Sequence, residues 1–523
     1  MYTVSRACSR STDRPSRWRN ATHIIAVLGW IAAVAVDLAA QAPPPRNLRM
    51  VAGGTVSLNG LSVGGPASVA IGQTVQYTVQ ATDTNGSTIS VNSGAVWSTS
   101  NSGLATISQS GVLTALATGT VTVRATYQGL TAQFATTLAS TTASSPYGRQ
   151  STITCPAGAV SITPGQSIQG VVNFYPGTTT FCLRAGVHYV TSSITPKTGN
   201  TFVGEYGAIL DGSNWSTTDT TQAAFRAHNE NIDYVTIRNL VIRKMPQKGI
   251  HTFYWLSPDH WTVENNEITG SHTGIQFADQ SMIRNNYIHH NYGNPSGATP
   301  AERGGGYVGY YASNTILENN EIAYNGKEQK SMESTNVTFR NNFVHHNQGD
   351  GIWYDGGNPG ALVEGNRVED NAGNGIFYEA SSGSVIRDNT VRRSGDTGVF
   401  ISASQNVDIH NNQLESNARG IIYFIDCAVT ELGRSLDLTN NSASDNTIRV
   451  SAQRGAIANG FAYTRHCSST QLAAYLNGSK NLTFSRNTYY VPLPTGSYWI
   501  WDGSVAWSQW RSLGQDMDGA IAR

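Results

Sequence analysis

Three acidic residues in the second half of the chain recur at an interval that could bring them together. Asp355 and Glu379 each end a segment that opens with Gly-Ile (GIWYD and GIFYE), and Glu333 ends the segment KSME one interval earlier. Parallel strands lie about 4.8 Å apart, so carboxylates on successive strands need a cation or a shared proton to offset their repulsion. The spacing predicts a metal site or an acid–base pair; the alternative is a solvated edge on which acids align.

Each arrangement implies a specific chemistry. Calcium takes oxygen ligands from stacked carboxylates, so Glu333, Asp355 and Glu379 could hold a Ca²⁺ that neutralises a uronate and acidifies its C5 proton for β-elimination. A proton shared by Asp355 and Glu379 would instead provide acid–base catalysis of glycoside cleavage. Lys330 is the candidate base for elimination, because a lysine near cations or partly desolvated can lose its proton near neutrality. Its alternative role is a salt bridge to Glu333 or Asp355.

Aromatic residues accompany the acids on the same segments. Side chains alternate along a strand, so if Ile352 points inward, Trp353 points outward with Asp355. Phe377 and Phe400 take the same outward position in GIFYE and GVFIS. An exposed aromatic row suits stacking on sugar rings. We therefore expect Trp353, Phe377 and Phe400 to bind substrate.

Three more polar residues are expected at this face. His251 in GIHTF and Gln276 in GIQFA hold equivalent positions in earlier segments of the series. Arg303 lies in an inserted stretch, 294–306, which would overhang the strand, and its guanidinium could clamp a carboxylate. His251, Gln276 and Arg303 are therefore candidate substrate-binding residues.

The elements that must position these residues are marked by a recurrent asparagine. It returns every 20 to 34 residues and is followed two residues later by an apolar side chain. Repeats of this length indicate a stacked architecture whose units cannot bury their apolar faces alone. Asparagine can hydrogen-bond to its equivalents in the turns above and below, and it tolerates a left-handed backbone. The series is Asn266, Asn286, Asn320, Asn342, Asn366, Asn389, Asn412 and Asn446.

The N-terminal residues and the cysteines indicate export. Arginines precede an apolar run that ends near Val36, and Ala40-Gln41-Ala42 has the small-x-small pattern of a cleavage site. Cys8 would leave with this signal peptide, and four cysteines would remain. We expect two local disulfides in an oxidising compartment, Cys155 with Cys182 and Cys427 with Cys467, with free thiols as the alternative.

Composition limits the classes of partner that the protein can bind. The 523-residue chain has 34 basic and 34 acidic residues and no net charge, so it lacks the basic footprint of a nucleic-acid-binding protein. The apolar N-terminal run is shorter than the ~20 residues of a spanning helix, so no membrane span is expected after signal cleavage. The expected form is a secreted or cell-surface monomer whose partner is an extracellular polysaccharide.

The segment before the asparagine series has the alternation of a half-buried antiparallel sheet. VQYTVQAT, GAVWSTS and GTVTVRATY carry a period of two, and Trp97 lies where a small sandwich would bury it. The stretch AVWSTSNSGLATISQSGVLTALATGTVTVRATYQG resembles a group 2 bacterial immunoglobulin-like domain. That resemblance implies a β-sandwich used as a spacer or adhesive module, with no catalysis.

Residues 150–523 resemble the right-handed parallel β-helix proteins of the pectate-lyase-like superfamily. The fold class is therefore all-β, a right-handed parallel β-helix preceded by a small immunoglobulin-like sandwich. Tryptophans near the C-terminus, with helical spacing at Trp507 and Trp510, are expected to seal the last coil. The expected organisation is a signal peptide (1–42), linker (43–52), immunoglobulin-like domain (53–139), linker (140–149), β-helix (150–490) and C-terminal cap (491–523).

The resemblance to β-helix proteins does not predict which reaction, if any, the chain catalyses. Lyases, hydrolases, epimerases and non-enzymatic adhesins share such coils. The chain has no paired-aspartate hydrolase signature, no Asp-Pro-His-Asp epimerase motif and no pectate-lyase arginine pattern. The sequence predicts an enzyme acting on an acidic polysaccharide, a lyase first and a hydrolase second. The competing prediction is a carbohydrate-binding or adhesive surface protein.

Overall fold

The computed structural model describes most of the chain after residue 56. The predicted signal peptide, both predicted linkers and Arg303 lie outside the described residues. The described part forms two compact units, which divide between Ala139 and Ser140. None of its helices is long and apolar enough to cross a membrane. The described ranges are 57–70, 74–92, 94–115, 119–139, 150–228, 230–253, 258–277, 279–293, 304–427, 437–451, 457–464 and 466–522.

The N-terminal unit is a small β-sandwich, as the alternating segments predicted. Burial in the strand Gly119–Tyr127 follows the period of two, and Trp97 is 3% exposed in the core. The indole Nε1 of Trp97 donates to the carbonyl oxygen of Asn92 at 3.3 Å. The strands form three sheets: Leu58–Gly64, Thr78–Asp83 and Thr88–Ser90; Ser68–Ala70, Leu130–Ala139, Gly119–Tyr127 and Val96–Thr99; and Thr74–Gln76, Val112–Ala115 and Ala105–Ile107.

The second unit is a solenoid of three parallel sheets, here named sheets 1, 2 and 3. Each full coil passes through them in that order, for example along Thr338–Arg340, Phe343–His345 and Ile352–Asp355. Because each sheet gains one strand per coil, residues one coil apart pair directly across the sheet. The apolar inward side chains form one continuous core along the coils.

Sheets 1 and 2 are built from short strands, typically of three residues. Sheet 1 contains Val160–Ile162, Thr180–Leu183, Thr201–Gly204, Thr236–Arg238, Thr262–Glu264, Met282–Arg284, Ile316–Glu318, Thr338–Arg340, Leu362–Glu364, Val385–Arg387, Asp408–His410, Asn441–Ser444 and Leu482–Ser485. Sheet 2 contains Gly186–Tyr189, Ala208–Asp211, Val241–Arg243, Glu267–Thr269, Tyr287–His289, Glu321–Ala323, Phe343–His345, Arg367–Glu369, Thr390–Arg392, Gln413–Glu415, Thr447–Arg449, Thr488–Tyr490 and Ala520–Ala522.

Sheet 3 has longer strands and carries the predicted site residues. Glycines open many of these strands because the neighbouring coil is close: a Cβ on Gly351 would lie 2.5 Å from the carbonyl oxygen of Gly375. The strands are Ala223–His228, Lys248–Phe253, Thr273–Phe277, Gly305–Tyr310, Lys330–Met332, Ile352–Asp355, Ile376–Glu379, Thr397–Ser402, Arg419–Ile425, Ile457–Tyr463, Trp499–Trp501 and, antiparallel to it, Ser504–Val505.

The asparagine series forms a buried ladder between sheets 1 and 2. Each side-chain amide donates to the oxygen of the next, at 2.9 to 3.1 Å, from Asn266 through Asn487 to Asp516. The left-handed conformation belongs to the preceding residue instead, as at Asn265 and Asn341, both with φ of 54°. A second ladder, which the sequence did not predict, joins Asn291, Asn325, Asn347 and Asn371 between sheets 2 and 3.

Both ends of the solenoid are covered. The helix Ile168–Phe174 lies near the N-terminal end, Ser469–Leu476 lies in a late coil, and Trp507–Ser512 lies near the C-terminal end. Trp499 and Trp510 are fully buried, so these tryptophans complete the core as predicted. The structure contains both predicted disulfides, Cys155–Cys182 and Cys427–Cys467.

Candidate functional site

The outer face of sheet 3 has the predicted register in its central coils. Asp355 pairs with Glu379, and Trp353 pairs with Phe377 across the same two strands. Ile352 and Tyr354 are buried, whereas Trp353 and Asp355 are partly exposed. The two carboxylates therefore lie one above the other on the outside of the solenoid.

Glu333 does not belong to this column, and its predicted position was wrong by one residue. Met332 pairs with Asp355, and Glu333 follows in the turn with a φ of 50°. The coil lacks the Gly-Ile opening that sets the register of its neighbours, which is why the sequence misplaced it. The third carboxylate of the predicted stack is replaced by a methionine side chain.

Lys330 forms an ion pair with Asp355. Its Nζ lies 2.6 Å from Asp355 Oδ2, 4.0 Å from Glu328 Oε2 and 4.6 Å from the centre of the Trp353 ring. Burial lowers the pKa of Lys330, but Asp355, Tyr310 and Glu328 together raise it above its usual value. Lys330 is therefore a cation at neutral pH, which favours the salt bridge considered above over a role as a neutral base.

Glu379 has a separate partner. Its Oε2 accepts a hydrogen bond from the indole Nε1 of Trp353 at 3.3 Å. Asp355 and Glu379 thus lie on adjacent coils, one bonded to an ammonium and the other to an indole. This arrangement offsets the charge of Asp355 without a proton shared between the two carboxylates.

Tyr310 adds a phenol that the sequence did not single out. It pairs with Met332, which places it in the outward column of Asp355, one coil before Met332. Burial raises the pKa of Tyr310, and the negative charges of Asp355 and Glu328 raise it further against the opposing effect of Lys330. The phenol is protonated at neutral pH and can donate a proton. Its strand, Gly305–Tyr310, follows the inserted stretch, so its register could not be predicted from the repeat spacing.

The aromatic row forms a continuous strip. The Trp353 and Phe377 rings are stacked, with centroids 5.6 Å apart and planes 7° apart. Phe400 continues the strip 5.1 Å from Phe377, and Phe424, which the sequence did not identify, lies 5.4 Å further on. These side chains are half-buried and face outward beside the ion pair. They form an apolar surface next to the charged groups.

His251 and Gln276 lie in the outward column that leads through Val308 to Lys330. They are 2% and 5% exposed, respectively, so this structure leaves them little surface for direct contact with a substrate. The same end of sheet 3 has basic side chains that the sequence missed, Arg226, His228 and Lys248.

The three predicted calcium ligands are not gathered around one point in the described residues. Asp355 faces the ammonium of Lys330, Glu333 lies outside the column, and Glu379 accepts from an indole. Within the described ranges, only Cys155, Cys182 and Glu205 bring three metal-ligand atoms within 4.8 Å, and there the two sulfurs form a disulfide. The donor set at sheet 3 therefore does not fit Ca²⁺, and no chemical step below passes through a metal.

Comparison with known families agrees with the coil geometry. Two overlapping matches to the family Right handed beta helix region cover residues 224–383 and 357–488, half of the chain together. The chain belongs to this family. A further match, to Bacterial Ig-like domain (group 2), covers residues 62–137. Both resemblances noted in the sequence are thus confirmed.

Solved structures of other β-helix proteins share the fold at low sequence identity. The Azotobacter vinelandii mannuronan C-5 epimerase AlgE6 A-module is 15% identical, with a TM-score of 0.50, over 68% of this chain and 91% of that module. The AlgE4 A-module from the same organism is 17% identical, with a TM-score of 0.46, over 58% and 92%. No curated protein matches the chain in sequence.

Proposed function

We propose that this β-helix protein is a secreted enzyme that acts on an acidic polysaccharide along the outer face of sheet 3. The observation that carries the proposal is the Lys330–Asp355 ion pair, which lies directly beside the stacked rings of Trp353 and Phe377. A cation at one end of an apolar strip suits a ligand that has both sugar faces and carboxylates. The named activity of the AlgE6 module, on mannuronan, supports the same class of substrate.

The preferred reaction is β-elimination at a uronate. Lys330 would attract the carboxylate of the sugar, which makes the C5 proton more acidic. Asp355 or Glu379 would accept that proton as the C4–O4 bond breaks, and the electron pair of the C5–H bond becomes the C4–C5 double bond. Tyr310, a neutral phenol in the outward column of Asp355, would protonate the departing oxygen. The products are an unsaturated uronate and a new chain end.

Hydrolysis is the second candidate because of the register of the two acids. Asp355 and Glu379 are direct neighbours on adjacent strands, about 4.8 Å apart in the backbone. Retaining glycosidases use carboxyl groups about 5 Å apart, one as nucleophile and one as acid–base. A hydrolase would release reducing ends without forming a double bond.

The test is incubation of the full chain with pectate, alginate and neutral glycans, with and without a chelator. New ultraviolet absorbance from an unsaturated uronate supports the lyase, and reducing sugar without that absorbance supports the hydrolase. Binding without turnover indicates an adhesive protein instead. We expect turnover of an acidic substrate that a chelator leaves unchanged, because Asp355 is paired with Lys330 and Glu379 accepts from Trp353.

Variants of the acids test the assignment of the site. Asp355→Asn or Glu379→Gln, whichever removes the proton acceptor, should lower kcat by at least about a hundred-fold, and the double variant should do so in either case. Glu415→Gln is the matched control, since Glu415 is an exposed carboxylate on sheet 2. Full activity in the Asp355→Asn/Glu379→Gln double variant would refute the site.

Export is part of the proposal. The two disulfides are typical of oxidising compartments, and the N-terminal pattern of arginines followed by an apolar run fits a signal peptide. Mass spectrometry of protein released from cells should find a mature N-terminus close to Ala42. Retention of the protein in the cytoplasm with intact N-terminal residues would contradict this assignment.

A further inference from the structure

Two early strands of sheet 3 carry a group of basic side chains that the proposed chemistry at Lys330 does not use. Arg226 and His228 lie on Ala223–His228, and Lys248 and His251 lie on the next strand. Arg226 pairs with His251, and the rings of His228 and His251 are 5.2 Å apart. We refer to Arg226, His228, Lys248 and His251 as the basic cluster.

Lys248 lies in this cluster with no acidic partner of its own. The side chain is half-buried, and its ammonium donates to the backbone carbonyl of Thr220. Across the described ranges, no carboxylate forms an ion pair with Lys248. The acid that influences it, Asp219, has its oxygens bonded to Thr221 and Gln222, which lowers the pKa of Asp219 to about 2.

The surroundings of Lys248 disfavour its charge. Burial lowers the pKa of Lys248 to about 8, and Asp219 offsets this only in part. Burial also holds the pKa of His251 far below its usual value, and the positive charges of Lys248 and Arg226 contribute. Lys330 is the opposite case, since Asp355 supplies the counter-charge. An added anion would therefore stabilise Lys248 more than Lys330.

We propose that the basic cluster is a subsite for a carboxylate of the polysaccharide, with Lys248 as the residue that pairs with it. This inference rests on the proposed function, because the cluster lies on the same sheet as Lys330, a few coils away. The outward column runs from Arg226 through His251, Gln276 and Val308 to Lys330. Three strand intervals separate the strands of Lys248 and Lys330, about 14 Å. The ligand is thus an oligouronate that spans several coils.

The subsite predicts proton uptake on binding. At pH 8 about half of Lys248 lacks its proton, and a bound carboxylate would restore it by raising the pKa. The pKa of Asp219 is about 2 and the pKa values of His228 and His251 are below their usual value, so these neighbours do not titrate near pH 8. Net proton uptake on ligand binding is therefore expected near pH 8.

The experiment is calorimetric titration of the full chain, as Glu379→Gln to suppress turnover, with oligogalacturonate and oligomannuronate. Titrations at pH 8 in buffers of different ionisation enthalpy measure the number of protons taken up. Lys248→Met should abolish the uptake and weaken binding by roughly ten-fold or more, the effect of losing one charged contact. Lys248→Arg should retain binding but lose the uptake, because a guanidinium does not titrate at this pH.

Lys244→Met is the matched control, because Lys244 is an exposed lysine four residues earlier and follows a strand of sheet 2. It should leave both affinity and proton uptake unchanged. Unchanged affinity and uptake in Lys248→Met, or equally tight binding of a neutral cello-oligosaccharide, would overturn the subsite. If acidic polysaccharide is still cleaved in that case, only this inference fails. If no oligouronate binds or is cleaved, the proposed function fails with it.

Discussion

Lys330 and Lys248 both lie on strands of sheet 3, but their charges are balanced in different ways. Asp355 lies 2.6 Å from Lys330, whereas among the described residues the ammonium of Lys248 donates to the backbone carbonyl of Thr220 and forms no ion pair. Residue type therefore does not decide whether a lysine is a base, a structural cation or an anion-binding group; its neighbours do. Lys330 lies beside the acids Asp355 and Glu379. Lys248, which has less negative charge around it, lies several coils away.

Removal of the indole of Trp353 should weaken substrate binding. Trp353 stacks on Phe377 and donates to Glu379, so Trp353→Ala loses both a sugar-stacking surface and a contact to an acid. We expect KM to rise roughly five-fold or more, from about 1 kcal/mol of lost stacking, with a smaller fall in kcat. Tyr189→Ala, an exposed aromatic on sheet 2, is the control. Steady-state kinetics measure both constants, and an unchanged KM would contradict a role in binding.

Asp350 makes stability depend on pH. Burial raises its pKa to about 6, and the charges of Asp396 and Glu328 contribute, against the hydrogen bonds from Asn374. Because the folded pKa is above the ordinary value of 3.8, the stabilising effect is complete below pH 3.8 and is lost as pH rises through 6. The loss is up to about 3 kcal/mol. Asp350→Asn keeps an oxygen acceptor and should raise Tm at pH 7 but not at pH 4. An equal shift in Tm at both pH values would show that ionisation of Asp350 is not the cause.

The stability of each coil depends on the asparagine that is buried at its turn between sheets 1 and 2. The amide of Asn342 donates to the carbonyl of Leu317 and to Asn366, and its oxygen accepts from Asn320. Asn342 therefore forms hydrogen bonds with polar groups that are buried in the neighbouring coils. Its neighbour Asn341 is exposed and serves the turn through a φ of 54° instead. Adjacent residues of the same type therefore have separate structural roles.

This difference can be tested with two neighbouring substitutions. Asn342→Ala leaves buried donors and acceptors without partners, so it should cost about 2 to 4 kcal/mol and lower Tm by several degrees. Asn341→Gly keeps the left-handed turn and should change Tm little, because glycine adopts this conformation readily. Thermal unfolding monitored by circular dichroism compares them. Equal changes in Tm would mean that the side-chain hydrogen bonds of the ladder do not contribute measurably to stability.

The sequence predicted the fold and the central register because its signals repeat. The asparagine spacing fixed the coil length, and the shared Gly-Ile openings of GIWYD and GIFYE placed Asp355 over Glu379. Glu333 was misplaced because its coil has no such opening. Lys248 was missed for another reason: its environment depends on the segment around Asp219, which belongs to an earlier coil and has no repeat pattern. Repetition reveals backbone position, but it does not reveal which side chains neutralise one another.

At the scale of the molecule, the chain has two units with separate cores. The sandwich core includes Trp97 and Val123, and the solenoid has its own continuous core from Ile162 onward. Neither hydrophobic cluster contains residues of the other unit. Each unit should therefore fold by itself.

Deletion of the N-terminal unit tests this independence. A chain that begins at residue 150 should keep the thermal transition of the solenoid and its activity on a soluble oligouronate, because all proposed site residues lie beyond that point. Any loss should be confined to attachment to insoluble material or to the cell. Loss of kcat on the soluble substrate would show that the sandwich takes part in the reaction.

The last residue of the asparagine ladder has a consequence for the C-terminal end of the solenoid. Asp516 accepts from the backbone N–H and side-chain amide of Asn487, from Tyr489 Oη and from Trp510 Nε1, so four donors converge on one carboxylate. Both oxygens of Asp516 already accept hydrogen bonds, and its side chain has no N–H donor, unlike every asparagine before it. A second molecule docked on this end would find no amide with which to extend the series. The same residue that completes the stack thereby discourages growth into a fibre.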